Sequence, residues 1–306
     1  MKQLLVKVRI KSRMILKSMR LLLPKQRLKS KVKRLAPVTL ENDGKVTVSI
    51  FCGRGELYEG VASLYSFYYF SDKKYPLHWH EDGTLSASDI SYLNRVFPNI
   101  KIIRRADADV MSGNLMASHS FHFMPILRST LIFGVRLVDI NYYADGKWVL
   151  QLDSDVLFLE KPTMLLENMQ RADKEGNANW MYNKDIRSCY CTSSENIYEV
   201  IKAPVIEQFN SGVTFYKAAK DNIGYLESVC AAGLPNDGYY YWEQTLFAIL
   251  MTRYKALPLP DNYDVHYRFS GSPGPASLKV VSRHYCGNAR DYFYRDFDQC
   301  LYRKMI

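Results

Sequence analysis

The stretch Trp148-Val-Leu-Gln-Leu-Asp-Ser-Asp-Val-Leu-Phe-Leu159 places two carboxylates, Asp153 and Asp155, inside an otherwise apolar, strand-like run. Burying two unpaired carboxylates is expensive, and their like charges repel each other unless a cation lies beside them. Open α/β sheets bind ligands beyond the carboxyl ends of their strands, where oxygen ligands suit Mg²⁺ or Mn²⁺ together with phosphates. An ordinary Asp-rich turn is the alternative interpretation. The apolar strands on both sides favour the metal site.

The rest of the chain predicts a sheet around this motif, because short apolar strands alternate with helical stretches. We predict an α/β fold built as a single Rossmann-like domain, with a mixed, mostly parallel sheet flanked by helices. A break near Ala36-Pro37 divides the 306 residues into a basic segment, 1–36, and a globular domain, 37–306. The predicted strands cover 45–52, 75–80, 100–103, 148–152 and 156–159, and the predicted helices cover 58–70, 86–97, 123–138 and 245–251.

Three later segments carry polar groups that are candidates for contact with a ligand. Asn210 and Gly212 precede a strand-like stretch, where asparagine offers both donor and acceptor and glycine permits close backbone approach. Glu243 and Gln244 open an apolar helix, and His284 ends a late strand-like run. A plain turn, a helix cap and a histidine satisfied within the fold are the respective alternatives.

The positive charge of the chain is concentrated at its N-terminus. Residues 1–34 hold 13 of the 41 Lys and Arg residues and no Asp or Glu, while the net charge of the whole chain is +10. Apolar and basic residues over 3–23 follow the pattern of a helix lying on an anionic membrane. Pro24 is expected to end this helix and leave 25–34 as a basic tether. A docked helix or a disordered tail is the alternative. Because the remaining body is slightly acidic, nucleic acid is not an expected partner.

The cysteines and the hydropathy of the chain bear on its compartment. The six cysteines match no compact disulfide framework, so free thiols in a reducing compartment are expected. The chain has no run of about 18 apolar residues that would span a membrane and no apolar core of a signal peptide. We therefore expect a cytoplasmic protein that lies peripherally on the inner face of the membrane.

The order of the motifs resembles that of a known family. A strand with Asp-x-Asp, then Phe-Asn-Ser-Gly, then an acidic residue followed by glutamine, and a late strand ending in histidine are similar to retaining GT-A glycosyltransferases. The resemblance is closest to the group containing glycogenin and bacterial lipopolysaccharide galactosyl- and glucosyltransferases, over roughly residues 45–290. It implies a GT-A fold, a Mn²⁺ (or Mg²⁺) cofactor and a nucleotide-sugar donor of the UDP-sugar kind.

The resemblance also implies roles for individual residues. The chain departs from the family pattern after His284, where Tyr285-Cys-Gly-Asn-Ala-Arg290 replaces a glycine and a Lys-Pro-Trp segment, and Arg290 is the candidate substitute for that lysine. The implied assignments are metal binding by Asp153, Asp155 and His284; contact with the reacting donor sugar by Gln244, Glu243 and Asn210; and donor binding by Cys52, Gly53, Arg54, Arg128, Asp153, Ser154 and Gly212.

The expected function is transfer of a hexose from the donor to a glycan or glycolipid acceptor, at an anionic membrane surface bound by residues 1–34. The main chemical requirement is a cation that neutralises the leaving diphosphate. A retaining reaction needs no base from the enzyme, whereas in an inverting reaction Glu243 would take the acceptor proton. The alternatives are a sugar nucleotidyltransferase, against which the absence of a Gly-rich triphosphate loop counts, and a non-catalytic, membrane-associated sugar-binding protein of the same fold.

Overall fold

A computed structural model of the chain describes residues 22–235, 239–271 and 280–306. The strands are β1 Val46–Phe51, β2 Leu77–His80, β3 Lys101–Ile103, β4 Trp148–Leu152, β5 Val156–Phe158, β6 Met181–Lys184, β7 Phe209–Lys217, β8 Leu257–Pro258, β9 Tyr263–Tyr267 and β10 Ser282–Cys286. The helices are α1 over 22–32, α2 Leu57–Phe70, α3 Ala87–Val96, α4 Arg105–Ser118, α5 Phe123–Thr130, α6 Gly134–Tyr143, α7 Thr163–Glu175, α8 Ser194–Ile201, α9 Lys220–Ala231, α10 Trp242–Arg253, α11 Arg290–Asp296 and α12 Arg303–Met305.

Seven strands form a main sheet in the order β3-β2-β1-β4-β7-β6-β8. Neighbouring strands are parallel except around β7, which runs antiparallel to both β4 and β6. Every residue of β4 is buried, as are all but the last of β1, so both faces of the sheet centre need helices against them. Helices α6 and α7 contact β1, and α10 contacts β7. The predicted α/β architecture with a mixed, mostly parallel sheet flanked by helices is confirmed.

The chain changes sheets at the acidic motif. Strand β4 belongs to the main sheet, whereas β5, which follows almost at once, belongs to a second sheet of order β5-β10-β9. Two backbone hydrogen bonds hold the connection in place. The Asp153 N–H donates to the Gly212 carbonyl on β7 at 3.0 Å, and the Tyr285 N–H on β10 donates to the Asp155 carbonyl at 2.9 Å. The two acids therefore lie in the gap between the sheets, at the carboxyl end of a central strand.

The single helix predicted over 123–138 is wrong, because two helices occupy this region. Helix α5 ends at Thr130, and α6 starts at Gly134 after an extended residue, Leu131. A Cβ at Gly134 would lie 2.5 Å from the Leu127 carbonyl oxygen, so glycine lets the start of α6 pack closely on the end of α5. The predicted helices also leave out α4, α7, α8, α9 and α11.

Helix α1 packs against the body of the protein. Its residues Leu28 and Val32 are buried in the common core. Pro24 lies within this helix, so the predicted helix end at Pro24 and the basic tether over 25–34 are wrong. Residues 1–21, which hold most of the predicted membrane-binding helix, lie outside the described residues. Among the helices that the structure describes, none combines the length and the apolar character needed to span a bilayer.

Candidate active site

Asp153, Asp155 and His284 meet in the gap between the two sheets. The antiparallel register of β10 against β5 pairs His284 with Val156, directly after the acidic motif. The His284 Nε2 atom lies 3.2 Å from Asp155 Oδ1 and 3.7 Å from Asp153 Oδ2. One potential ligand atom from each of the three residues lies within 4.8 Å of the other two. Residues far apart in the sequence thus form a compact group of two carboxylates and an imidazole.

The burial of Asp155 and His284 makes their charges strongly interdependent. Burial raises the pKa of Asp155, but His284 and Arg290 outweigh burial and hold this pKa below its ordinary value. Burial lowers the pKa of His284, but Cys286 and Asp155 outweigh it and hold this pKa well above its ordinary value. The carboxylates therefore demand a positive partner, which is either a proton on the imidazole or a bound cation.

The donor set of this group fits a divalent cation. Carboxylate oxygens are the ligands that Mg²⁺ and Mn²⁺ prefer, and a neutral imidazole suits transition metals. The ring offers the nitrogen that faces the carboxylates, Nε2, because its other nitrogen, Nδ1, is hydrogen-bonded to Asn210 Oδ1 at 2.8 Å. Asp153, Asp155 and His284 together would leave further coordination positions for oxygens of a ligand in the cleft.

Gly212 lies against the ring of His284. A Cβ at this position would be 2.2 Å from His284 Nδ1 and 2.6 Å from the ring carbon next to it. Any side chain would have to displace the imidazole, because a contact this short is a steric clash. The sequence predicts that Gly212 allows another group to approach the backbone closely. In the structure that group is the ring of His284, which lies between the glycine and the carboxylates.

Replacing Gly212 by alanine is expected to push the imidazole away from the acid pair. We expect the unfolding free energy to fall by about 1–3 kcal/mol and the Mn²⁺ affinity to fall about tenfold or more. Urea unfolding and Mn²⁺ titration followed by electron paramagnetic resonance measure the two effects. Gly113→Ala in α4 is the matched control, because its new Cβ meets nothing within 4 Å. Unchanged stability and unchanged Mn²⁺ affinity of Gly212→Ala would contradict the contact.

Arg136 of α6 links the acidic motif to two neighbouring segments. Its Nη1 donates to Asp153 Oδ1, and its Nη2 lies 3.0 Å from Ser211 Oγ and 3.2 Å from both carboxylate oxygens of Glu243. Arg136 is buried, and a buried guanidinium requires such partners. Burial raises the pKa of Glu243, and the nearby Arg136 offsets only part of that effect. The positively charged guanidinium of Arg136 is therefore held beside the acid pair.

The turn after β1 reaches the acidic motif from another direction. Ser154 Oγ donates to Glu56 Oε2 at 2.5 Å, and Glu56 Oε1 pairs with Arg290 Nη2 at 2.5 Å. Arg290 Nη2 also lies 3.6 Å from Asp155 Oδ2. The segment after β10 therefore brings a second guanidinium to the acid pair. Arginine binds phosphate oxygens well, so this position suits an anionic ligand.

These groups line an open cleft of ≈ 530 Å³, a size typical of small-molecule sites. Apolar side chains lie at its mouth, where Tyr240 is 71% exposed and Ile132 and Phe133 are also exposed. The cleft brings together most of the residues singled out from the sequence, namely Cys52, Gly53, Asp153, Ser154, Asp155, Asn210, Glu243, Gln244, His284 and Arg290.

Arg54 and Arg128 are not brought to the cleft. The Arg54 side chain is 62% exposed and points to the protein surface. The Arg128 guanidinium donates to both oxygens of Asp139, at 2.7 and 2.9 Å, and to Asp109 at 2.7 Å. These bonds engage all three of its nitrogens away from the acidic motif. Arg136, eight residues later, lines the cleft instead, together with Arg290.

Arg136 was missed in the sequence analysis, although the sequence carries a signal for it. In Gly134-Val-Arg-Leu-Val-Asp-Ile140 the arginine interrupts a run of apolar residues that would face a core. Arginine is almost never fully buried without a partner, so such a position calls for a carboxylate nearby. Asp185, a buried acid beside Asn210, was also missed, and nothing in its local sequence distinguishes it.

The sheet order, the change of sheets at the acidic motif and the cleft beside it define the GT-A glycosyltransferase fold. Solved structures with this fold are similar to the chain over most of its length. The galactosyltransferase LgtC, in complex with donor and acceptor sugar analogues, is 16% identical with a TM-score of 0.51, covering 85% of this chain and 96% of that one. Mouse xyloside xylosyltransferase 1, in its apo form, is 13% identical with a TM-score of 0.50, covering 82% and 99%.

A third similar structure is the apo form of the bifunctional glycosyltransferase WbbM, which is 14% identical with a TM-score of 0.48. The match covers 82% of this chain and 47% of WbbM, so the chain spans about half the length of that protein. No protein-family model matches the chain, and no curated protein matches it. At 16% identity the likeness to LgtC establishes the fold, and the predicted GT-A fold is confirmed.

Proposed function

We propose that the chain is a glycosyltransferase that moves a hexose from a nucleoside-diphosphate sugar, a UDP-sugar, to a glycan or glycolipid acceptor. The observation that carries this proposal is the meeting of Asp153, Asp155 and His284 in a cleft where the chain changes sheets. These three residues would hold Mn²⁺ or Mg²⁺. When bound there, the cation supplies positive charge that stabilises the leaving diphosphate.

The cationic side chains of the cleft support binding of the same diphosphate. Arg290 lies beside Asp155, and Arg136 lies beside Asp153, so two fixed guanidiniums flank the acid pair. Fixed donors aimed at developing negative charge lower the barrier without having to reorient during the reaction. We assign Arg136 the contact with donor sugar and phosphate that the sequence analysis gave to Arg128. The turn of Cys52 and Gly53 would lie along the nucleotide.

Glu243 and Gln244, at the start of α10, are the proposed contacts to the reacting sugar. Both oxygens of Glu243 lie 3.2 Å from Arg136 Nη2, which supports a carboxylate held for sugar binding over one free to take a proton. A retaining transfer requires no base from the enzyme, whereas an inverting transfer needs a group that takes the acceptor proton. We therefore propose a retaining transfer, with Gln244 near the reacting carbon and Asn210 alongside.

A donor screen tests the proposed reaction. The purified full chain is incubated with a panel of UDP-, GDP- and dTDP-sugars, and nucleotide release is measured with Mn²⁺, with Mg²⁺ and with excess chelator. We expect release from a UDP-sugar in the presence of Mn²⁺, background release with chelator, and recovery when Mn²⁺ is returned. Pyrophosphate release from a nucleoside triphosphate and a sugar phosphate would instead identify a nucleotidyltransferase. Mn²⁺-dependent UDP binding with no turnover would identify a sugar-binding protein.

We further propose that residues 1–34 bind an anionic membrane surface, so that the protein lies peripherally on the inner, cytoplasmic face of the membrane and meets its acceptor there. The absence of acidic residues from this segment supports electrostatic attraction to anionic lipid. Leu23 is 65% exposed at the start of α1 and adds an apolar contact. As part of this proposal, residues 1–36 form the membrane segment and 37–306 form the catalytic domain. The later part of α1 packs against the body of the protein.

Vesicle binding tests the membrane proposal. The full chain is expected to sediment with phosphatidylcholine vesicles that contain phosphatidylglycerol, and to stay in the supernatant with phosphatidylcholine alone. High salt should release it, because charged surface contacts are screened. Changing the seven Lys and Arg residues between positions 2 and 20 to glutamine should remove the binding and leave nucleotide release in solution unchanged. Salt-insensitive binding to both kinds of vesicle would contradict the electrostatic mechanism.

A further inference from the structure

The amide oxygen of Asn210 lies within hydrogen-bond distance of the ring of His284. Asn210 Oδ1 lies 2.8 Å from His284 Nδ1 and also accepts the Gly212 N–H at 2.9 Å. Asn210 Nδ2 donates to Asp185 Oδ2 at 2.9 Å. Both Asn210 and Asp185 are buried, so these bonds are shielded from competing water. The result is a continuous chain of hydrogen bonds from Asp185 through Asn210 to the histidine.

The carboxylate of Asp185 determines which groups donate and which accept in this series of hydrogen bonds. An ionised Asp185 only accepts hydrogen bonds, so it holds the NH₂ end of the Asn210 amide. The oxygen end is left to face His284, whose Nδ1 must then carry the proton. With Nδ1 protonated, the lone pair of a neutral ring lies on Nε2, the nitrogen 3.2 Å from Asp155. A flipped amide would place NH₂ against Nδ1 and favour a tautomer with a proton on Nε2, which cannot bind a metal.

Asp185 is itself held in place by its surroundings. Its Oδ1 accepts the Ile186 N–H at 2.7 Å, and its Oδ2 accepts the Tyr267 hydroxyl at 2.9 Å. It directly follows β6, whose register against β7 shifts between Tyr182 and Asn183. Such irregularities re-aim side chains near functional sites. The shift brings the end of β6 beside Asn210, which lets Asp185 reach the amide.

From this geometry we infer that Asp185 and Asn210 are positioning residues, which fix the ring orientation and tautomer of His284 so that Nε2 faces Asp153 and Asp155. The inference rests on the proposed function, because it gives His284 the role of a metal ligand. Partners that orient metal-binding histidines typically change metal affinity about 10- to 100-fold when they are altered. Neither residue needs to touch the metal or the donor for this effect.

A swap of the two side chains tests the inference. Asp185→Asn is expected to weaken Mn²⁺ binding in the presence of UDP about tenfold, because an amide at 185 no longer requires the NH₂ end of Asn210 and leaves only the Gly212 N–H to set the amide direction. The double variant Asp185→Asn/Asn210→Asp restores a fixed direction, since a carboxylate at 210 accepts from His284 and Gly212 and an amide at 185 donates to it. Its Mn²⁺ affinity should return to within about threefold of the wild type. Paramagnetic resonance titration measures affinity, and thermal unfolding reports on the fold.

The possible outcomes separate this inference from the proposed function. Asp173→Asn, which alters a carboxylate paired with Lys73 away from the cleft, is the matched control and should bind Mn²⁺ like the wild type. Unchanged affinity in Asp185→Asn, or failure of a folded double variant to regain affinity, would overturn the positioning role while leaving the metal site intact. A wild-type chain that binds no Mn²⁺ with UDP would overturn the proposed function, and the inference with it.

Discussion

Asp155→Ala is expected to lower kcat/KM for nucleotide release from the donor by about 1000-fold or more, with loss of Mn²⁺ binding. Asp155 is the buried acid of the pair, and its two oxygens face different partners: Oδ1 lies 3.2 Å from His284 Nε2 and Oδ2 lies 3.6 Å from Arg290. Alanine would remove the central carboxylate of the group and leave the histidine and the arginine without their counter-charge. The measurement combines initial rates over a range of Mn²⁺ concentrations with direct titration of Mn²⁺.

The control for this experiment is Asp261→Ala, an identical chemical change at a side chain that is 94% exposed and is not among the residues that line the cleft. Its turnover and Mn²⁺ affinity should match those of the wild type. Thermal unfolding of both variants shows whether a loss of turnover reflects loss of the fold. If folded Asp155→Ala retained Mn²⁺-dependent turnover, the acid pair would not be the metal site, and the glycosyltransferase proposal would lose its main support.

The central part of the fold was predictable because its signals are local. The apolar runs that became β1 and β4 each bury nearly every residue, and the interruption by Asp153 and Asp155 is visible within twelve residues of sequence. A carboxylate pair at the end of a buried strand is costly unless it has a partner, so its position alone pointed to a site.

The placement of His284 depends on information that is not local. Its distance from Asp155 follows from the antiparallel pairing of β10 with β5 in the second sheet. Neither strand reveals its partner, since cross-strand pairing depends on packing of the whole domain. His284 could be named from the sequence as a possible metal ligand because it is a histidine at the end of a strand-like run, and the family resemblance then assigned it to the acid pair. The contact between Asn210 and the imidazole needed the same three-dimensional information, as did the role of Asp185.

Arg128, and not Arg136, was singled out from the sequence because the short break between α5 and α6 was not predicted. In one continuous helix over 123–138 the two arginines, eight residues apart, would project about 80° apart around a single axis, because each residue turns the helix by about 100°. The break before Gly134 separates them. Arg128 stays on α5, where it donates to Asp139 of α6, and Arg136 lies on α6 beside Asp153.

Arg136→Lys is expected to reduce kcat/KM about 100-fold while the protein stays folded. Lysine keeps the positive charge between Asp153 and Glu243, but it lacks the planar fork with which Arg136 donates to Asp153, Ser211 and Glu243 together. One or more of these contacts would be lost, and the charge would no longer be fixed beside the acid pair. Rates measured at saturating Mn²⁺ separate this effect from a change in metal affinity.

Arg128→Lys is the matched variant, because it makes the same change eight residues away at a guanidinium held by Asp139 and Asp109. We expect both variants to lose about 1–3 kcal/mol of unfolding free energy, since each disturbs buried hydrogen bonds to charged groups. Only Arg136→Lys should lose turnover, while Arg128→Lys should stay within about threefold of the wild type. The opposite pattern, with turnover lost in folded Arg128→Lys and kept in Arg136→Lys, would overturn the assignment of the donor contact to Arg136. The donor contact would then belong to Arg128, and Arg136 would serve only to hold Asp153 and Glu243 in the fold.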